Sequence, residues 1–402
     1  MIECIVIKAI RACNLRCDYC YYINDETQEY GRVIADGTVE RLYETLSRHA
    51  RGRPVELVWH GGEPLMLGPE RFERLLSMQR AHFDEGAVAN KVQTNGSLVD
   101  AAWIEFFRRH AISVGVSLDG LREAHDRHRR KANGRGSFFE AMRAIRLLRN
   151  GGIEVGVLAV VDGSGSGAET MRFLNRLGVG SVEFLLPISN HALRDAGKAQ
   201  ALDFAGIGRF LREAYLQWLD LDAPRVPVDL FEALVLNAFG RPNDYAYTGP
   251  SLDALSNYVI LETDGTICLD EEYGQLDRYG IAAQYGLGCN VHDDGFSFDL
   301  ASDRLRGLIA ERGLARLPDD CADCRVRTIC RASHPGTRYS DAGRTFNRKS
   351  VYCNEMFDLA DVVLTTIGLA GMADRVKDPG LGKRAARAAS MVPEVPSGPS
   401  AR

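Results

Sequence analysis

Residues 13–20 read Cys13-Asn14-Leu15-Arg16-Cys17-Asp18-Tyr19-Cys20, and they follow closely on the apolar run that opens the chain, Met1-Ile2-Glu3-Cys4-Ile5-Val6-Ile7-Lys8-Ala9-Ile10. Three thiols on one short loop can wrap one face of a cubane and ligate three of its irons, leaving the fourth iron without a protein ligand. An iron left open behind a strand is a place where a small molecule can chelate and receive an electron. A zinc knuckle is the alternative. It wants a fourth Cys or His nearby, and His49, the first histidine of the chain, is distant in sequence.

Outward from this loop, short apolar runs alternate with segments of helical period as far as residue 186. Strands are expected at Glu3–Ile7, Val55–Trp59, Val88–Gln93, Ile112–Ser117, Ile153–Val160 and Ser181–Leu186. Between them, Val39, Leu42, Tyr43 and Leu46 mark one helix, and Phe72, Leu75 and Leu76 a second. Asp100 can cap a third containing Ile104 and Phe107. Ser137 and Glu140 form a capping box for a fourth, which stops at Gly151 and Gly152. Six βα units with right-handed crossovers make an α/β fold with a parallel sheet curled into part of a barrel, a (β/α)6 arrangement; eight units would close it. Functional residues then belong just after the strands. Gly61-Gly62-Glu63-Pro64 follows the second strand, Thr94-Asn95-Gly96 the third, and Ser117-Leu118-Asp119-Gly120 the fourth, with His125-Asp126-Arg127-His128-Arg129 behind it. Glycines let a backbone approach a ligand closely, and a carboxylate pairs with an ammonium group.

The chain has 402 residues, 45% hydrophobic and 26% charged, with a formal charge of −5. That excludes a disordered, collagenous or coiled-coil chain, and it gives no reason to expect nucleic acid or a membrane surface as a partner. The N-terminus lacks the basic flank and cleavage site of a signal peptide, and no apolar run reaches the length of a membrane span. A cytoplasmic, soluble protein is expected. Its ten cysteines cluster at both ends: Cys4, Cys13, Cys17 and Cys20, then Cys268, Cys289, Cys321, Cys324, Cys330 and Cys353. Without an export signal, such clusters point to thiolate ligands rather than disulfides, with Cys4 on its apolar strand as core.

Residues 1–195 thus form the barrel unit and 196–257 a helical linker, with Phe204, Ile207, Leu211 and Tyr215 on one face and a break at residues 224–227. A cysteine-rich extension occupies 258–357. It opens on a hairpin, Tyr258–Glu262 and Thr266–Leu269 around Asp264-Gly265, both turn positions expected at positive φ. An apolar helix is expected from about Phe357 to Ala373, assigned as 358–374. The tail 375–402, rich in Pro, Gly, Ser, Arg and Lys, is expected to be disordered.

The cysteine loop with Tyr19 before its last thiol, and the motifs after successive strands, resemble the radical S-adenosylmethionine (SAM) superfamily. The resemblance implies a 4Fe–4S cluster on Cys13, Cys17 and Cys20, and SAM held by Tyr19, Gly61, Gly62, Glu63, Asn95, Ser117, Asp119 and Arg129. In it Glu63 serves the cofactor's amino group and Arg129 its carboxylate. The implied chemistry is reductive cleavage of SAM to methionine and a 5′-deoxyadenosyl radical, which abstracts a hydrogen from substrate, with an external electron donor of flavodoxin or ferredoxin type. The C-terminal cysteines resemble the SPASM extension of radical SAM peptide maturases, which carries auxiliary 4Fe–4S clusters. One auxiliary cluster maps onto Cys321, Cys324, Cys330 and Cys353. A second would use Cys268 and Cys289, with Gly274 near one expected cysteine position and His334 at another; His334, helped by Asp270 or Glu271, is a substitute ligand. One or two auxiliary clusters are therefore expected.

SPASM proteins act mostly on ribosomally made precursor peptides or on protein side chains. HGGEP and SLDG…HDR resemble anaerobic sulfatase maturases, which make formylglycine; in that group an Asp follows the cysteine matching Cys289 and serves as base, whereas this chain has Asn290, and an amide cannot take that proton. The stretch Cys321–Cys353, ending Ser350-Val351-Tyr352-Cys353, is similar to cyclophane-forming maturases, which join an aromatic carbon to a β-carbon. A carbon–carbon crosslink is the leading expectation. Formylglycine, epimerisation or a thioether are enzymatic alternatives, a zinc-stabilised scaffold the non-enzymatic one, and the base is unassigned. With no leader-binding domain read before the first strand, peptide capture is expected at the barrel mouth, the linker or a sheet edge.

Overall fold

The computed structural model describes residues 1–23, 30–197, 202–222, 225–241, 243, 245, 247–248, 251–273, 286–370 and 384. Gly274 and, apart from Arg384, the tail from 371 onward lie outside them. The six expected strands form, within a residue or three of their predicted ends. They are β1 (Cys4–Ile10), β3 (Val55–Gly61), β4 (Val88–Thr94), β5 (Ser113–Ser117), β7 (Val155–Val160) and β8 (Ser181–Leu185), and they lie side by side in that order, all parallel. The remaining strands are β2 (Leu15–Cys17), β6 (Arg129–Lys131), β9 (Tyr258–Leu261), β10 (Thr266–Cys268) and β11 (Gly286–Asn290). Among the described residues the sheet ends at β8 on one side, as a portion of a barrel does.

The other side carries a feature no local pattern announces. β9 pairs in parallel with β1, Cys4 against Tyr258, and β10 and β11 continue the sheet antiparallel. The cysteine-rich extension therefore begins as a continuation of the barrel sheet, with its hairpin beside the strand that leads to the cysteine loop.

Helices α1 (Asp36–Ala50), α2 (Pro69–Gln79), α3 (Ala101–Arg109), α4 (Arg122–His128), α5 (Phe138–Asn150) and α6 (Gly167–Leu177) connect the strands. Asp100 caps α3 as expected, its carboxylate accepting from Trp103 N–H at 3.0 Å. The capping box at Ser137 does not form. The Ser137 hydroxyl instead donates to the Arg129 carbonyl at 2.9 Å and meets His125 Nε2 at 3.0 Å, while Glu140 turns to Lys131. A buried histidine and a strand carbonyl compete successfully for that hydroxyl. The hairpin turn also differs from expectation. Gly265 N–H closes onto the Glu262 carbonyl at 2.9 Å, and only Gly265, not Asp264, has positive φ. Asp264 stays right-handed because its carboxylate accepts from Thr266 N–H at 3.0 Å.

Beyond β8 come α7 (His191–Asp195), α8 (Phe204–Asp220), α9 (Asp229–Ala238), α10 (Leu252–Ser256), α11 (Phe298–Arg312), α12 (Arg327–Cys330) and α13 (Cys353–Ala370). The last begins at Cys353, four residues earlier than expected, so that this thiol stands at a helix N-terminus. Among the described residues, no helix is long and apolar enough to cross a membrane.

Candidate active site

The C-terminal ends of the parallel strands open onto a cavity of about 820 Å³, a size suited to a cofactor with part of a substrate. Cys13, Cys17 and Cys20 line it on one side, together with Tyr19, Gly61, Gly62, Asn95, Ser117 and Arg129. The cysteine loop is held by the short ribbon of β2 and β6, which sets Cys17 against Arg129, and by His128, whose two nitrogens meet Asp18 at 2.8 Å and Asp162 at 2.9 Å. Leu15 N–H points at the Cys13 sulfur (3.4 Å), as does the Asn95 amide (3.7 Å); Ile23 N–H points at Cys20 (3.3 Å). Burial pushes the Cys13 thiol up to about 11 and Cys17 to about 12. These thiols lose their protons only to a bound cation, and N–H groups aimed at sulfur are what an anionic iron–sulfur cluster wants. The donor set fits a cluster.

The opposite rim of this half is built by close backbone contact. A Cβ on Gly62 would stand 2.0 Å from the Ala12 carbonyl oxygen, so only glycine lets β3 run against the segment that carries Cys13. Glu63 lies behind the wall, fully buried. Its carboxylate accepts from Leu65 N–H (3.0 Å), the Thr94 hydroxyl (2.7 Å) and Asn95 N–H (2.8 Å), tying the end of β3 to the end of β4. Burial pushes Glu63 up to about 7. Asp119 is likewise behind the wall. It receives Arg129 Nε at 2.9 Å, Val160 N–H at 3.0 Å and the Tyr19 hydroxyl. Burial opposes the charge of Arg129, but Asp119 outweighs it and holds the guanidinium protonated, facing the cavity. Sequence reasoning missed Gln93, which lines the cavity and donates to the Ser117 hydroxyl at 3.0 Å across Gly115; a side chain at 115 would collide with it.

The inner half of the cavity carries charge that the motifs did not announce. Lys8, buried on β1, meets the Tyr21 hydroxyl and His60 Nδ1, both at 3.0 Å, and ion-pairs with Glu271. Burial and then Lys8 push His60 down to about 3; against burial, Lys8 holds Glu271 down to about 2. A lysine inside an otherwise apolar strand was the available signal. Glu272 also lines the cavity. One oxygen accepts from Tyr247, the other is buried without a hydrogen-bond partner, and burial pushes the group up to about 7. Glu183 on β8 is pushed up to about 7 in the same way.

His334 sits on this wall too, beside Asp270. Its Nδ1 accepts from Gly336 N–H at 3.1 Å, and its Nε2 stands 3.1 Å from Asp270. Burial opposes its charge, but Asp270 raises it above the usual histidine range. Nδ1 is thus taken up by the backbone, while Nε2, at ion-pair distance from Asp270, has no hydrogen-bond partner. Cys289 faces Arg304, and β11 sets it opposite Ile267, while Cys268 pairs, after a bulge, with Gly286. Cys268 and Cys289 thus stand on the adjacent paired strands β10 and β11.

Cys321, Cys324, Cys330 and Cys353 do come together. Cys321 feels the charges of Cys353 and Cys324, and Cys330 those of Cys353 and Cys321. Behind Cys330, the residues Arg331, Ala332 and Ser333 take φ of 51°, 66° and 59° in succession, in a tight turn where Ser333 N–H donates to the Cys330 carbonyl at 3.1 Å. Three successive non-glycine residues in the left-handed region are a strained arrangement directly behind that thiol.

Comparisons with known proteins agree with this geometry. The Radical SAM superfamily matches residues 7–174. A cysteine-type anaerobic sulfatase-maturating enzyme of Clostridium perfringens (strain 13 / Type A) is 32% identical over 342 residues, 81% of this chain and 87% of that one. The solved structure of anSMEcpe with bound AdoMet superposes with a TM-score of 0.75 at 21% identity, over 94% of this chain and 100% of that one. Streptococcus suis SuiB, bound to the precursor peptide SuiA, gives 0.59 at 16% identity, over 88% and 76%.

Proposed function

The chain belongs to the radical SAM superfamily, in the family of the anaerobic sulfatase-maturating enzymes, and from that premise we propose that it forms a carbon–carbon, cyclophane-type crosslink within a ribosomally made precursor peptide. That it is a radical SAM enzyme acting on a peptide follows from the family, and the zinc-scaffold reading falls away. The finer reading is ours. When bound, SAM and the cluster on Cys13, Cys17 and Cys20 supply the carbon radical that takes a hydrogen atom from substrate, and a cluster on Cys321, Cys324, Cys330 and Cys353 supplies an electron acceptor. An external donor of flavodoxin or ferredoxin type supplies the starting electron.

The chain's own residues bind, orient and exclude water. In this reading the backbone at Gly61 and Gly62 approaches the cofactor's amino group, with Glu63 fixing that backbone. Arg129, held charged by Asp119 and covered by Tyr19, receives the cofactor's carboxylate. Ser117, steadied by Gln93, and Asn95 supply polar contacts. Forming a crosslink removes two hydrogens from the peptide: one leaves as an atom, the other as a proton and an electron. Glu272, one oxygen of which is buried in the cavity wall without a hydrogen-bond partner, is the group placed to accept that proton, and the observation that carries the crosslink over formylglycine is at Asn290. Asn290, at the position where sulfatase maturases use a carboxylate, hydrogen-bonds instead to the Asp264 carbonyl at 3.1 Å, within the hairpin turn.

Formylglycine formation is the second reading, favoured by the identity to the Clostridium enzyme. The test is to incubate the anaerobically reconstituted enzyme, SAM and a reductant with the peptide encoded beside it. A product lighter by two hydrogens that is inert to an aldehyde-reactive hydrazide supports the crosslink. A hydrazide-labelled product replaces it with formylglycine, and an unchanged mass with altered stereochemistry replaces it with epimerisation.

A further inference from the structure

Arg338 is fully buried at the end of the short turn Pro335–Arg338. Nη1 donates to the Arg316 carbonyl at 2.8 Å and Nη2 to the Leu314 carbonyl at 2.7 Å, both on the segment leaving α11; Nε has no hydrogen-bond partner. Among the described residues no carboxylate lies within ion-pair distance of it. The groups able to carry negative charge whose fields reach it are the Tyr273 hydroxyl and then the Cys321 and Cys330 thiols, and its turn is tied to the segment entering Cys353, Val351 N–H donating to the Thr337 carbonyl at 3.2 Å and the Thr337 and Ser350 hydroxyls meeting at 2.7 Å. A guanidinium cannot shed its charge readily, and an uncompensated buried cation is costly, so such a group needs an anion beside it. With neutral thiols the site has none.

We propose that Arg338 is the built-in counter-cation of the cluster that Cys321, Cys324, Cys330 and Cys353 hold, and that it raises that cluster's reduction potential. The proposal rests on the reading that these four thiols bind a cluster. Four thiolates around a 4Fe–4S core make a dianion when oxidised, and reduction by one electron adds another negative charge. A fixed cation nearby favours the more negative form, as do N–H groups aimed at the sulfurs. One fully buried, carboxylate-free charge thus makes this cluster easier to reduce. That suits a group that must take an electron from a modified peptide and later release it to a carrier.

The test uses the full chain with Cys13→Ala, Cys17→Ala, Cys20→Ala, Cys268→Ala and Cys289→Ala, so that only the cluster on Cys321, Cys324, Cys330 and Cys353 can form, and reads iron content and an EPR-monitored redox titration. Arg338→Met is expected to lower the reduced-to-oxidised ratio at fixed potential at least tenfold, a shift of 59 mV. Arg338→Lys is expected to recover most of it. An iron-loaded Arg338→Met chain with the parent's potential overturns the proposal. Should Arg338→Met lose its iron, Arg338→Lys decides: iron retained supports a counter-charge, whereas iron lost equally from both assigns Arg338 to shape alone and overturns it. A parent chain that binds no iron refutes the four-thiol reading itself, before Arg338 is tested.

Discussion

Gly62 is the position where the geometry makes its sharpest demand. An alanine there places a methyl 2.0 Å from the Ala12 oxygen, 2.6 Å from the Ala12 carbonyl carbon and 3.1 Å from the Ala12 nitrogen, all backbone. No side chain can rotate away, so β3 and the segment entering the cysteine loop must part by about 1 Å. Two hydrogen bonds join them, Gly62 N–H to the Ile10 carbonyl at 2.8 Å and Glu63 N–H to the Ala12 carbonyl at 2.9 Å, and that displacement stretches both past useful length. Each is worth about 1 kcal/mol and the overpacking a further 1–3 kcal/mol, so the local arrangement loses about 3–5 kcal/mol, more than a hundredfold in population. Because Ala12 precedes Cys13, the loss falls on the loop that holds the first cluster. Gly62→Ala is therefore expected to cleave SAM at least tenfold more slowly and to bind less iron, with the C-terminal cluster intact. Gly37→Ala is the control: this exposed glycine in the first turn of α1 has nothing within 4 Å of an added methyl, and alanine favours the helix. Iron and sulfide per chain after anaerobic reconstitution, and 5′-deoxyadenosine released on reduction, are the readouts. A Gly62→Ala enzyme with wild-type iron and wild-type cleavage would refute the argument.

Three further outcomes are expected. Cys17→Ala abolishes reductive cleavage of SAM, whereas Cys324→Ala keeps part of it and loses product; full product from the Cys324 variant would remove the electron-acceptor role of the C-terminal thiols. His334→Ala leaves the iron content unchanged, because Gly336 N–H holds its Nδ1 and the imidazole lies at ion-pair distance from Asp270, and iron analysis showing a deficit would restore it as a ligand. Burial lifts Glu63, Glu183 and Glu272 from 4.5 to about 7, so the folded chain holds protons there that the unfolded chain has released, and stability falls as pH rises from about 6.5 to 7.5, above the range in which His60 and His125, pushed down from 6.5, act in the opposite sense. In urea unfolding followed across that range, Glu272→Gln should make the fall shallower by up to 1.36 kcal/mol per pH unit; an identical slope in both chains would show that Glu272 does not titrate there.

What the sequence reveals and what it conceals divide along the range of the interactions. The six parallel strands, the Asp100 cap and the motifs after each strand depend on residues a few positions apart, and they appear where periodicity and spacing put them. The four C-terminal thiols are nearly as local. The rest shares another cause. Ser137 has the sequence of a capping residue, but its hydroxyl goes to His125 and to the Arg129 carbonyl, which α4 and β6 bring to it. His334 has the position of a substitute ligand, and Asp270, from the far side of the hairpin, stands beside it at ion-pair distance. Lys8 makes sense only when Glu271, 263 residues along the chain, is drawn in. The agent in the last two cases is β9. By pairing with β1 it carries the segment 270–272 to the inner end of the same cavity whose outer end holds Cys13, Cys17 and Cys20. A separate extension appended after a barrel would leave that cavity without Asp270, Glu271, Glu272 and His334. The continuous sheet instead furnishes it with a proton acceptor and a set of buried charges from a part of the chain that contributes no ligand to the first cluster, and substrate chemistry at that end can change without disturbing the radical-generating end.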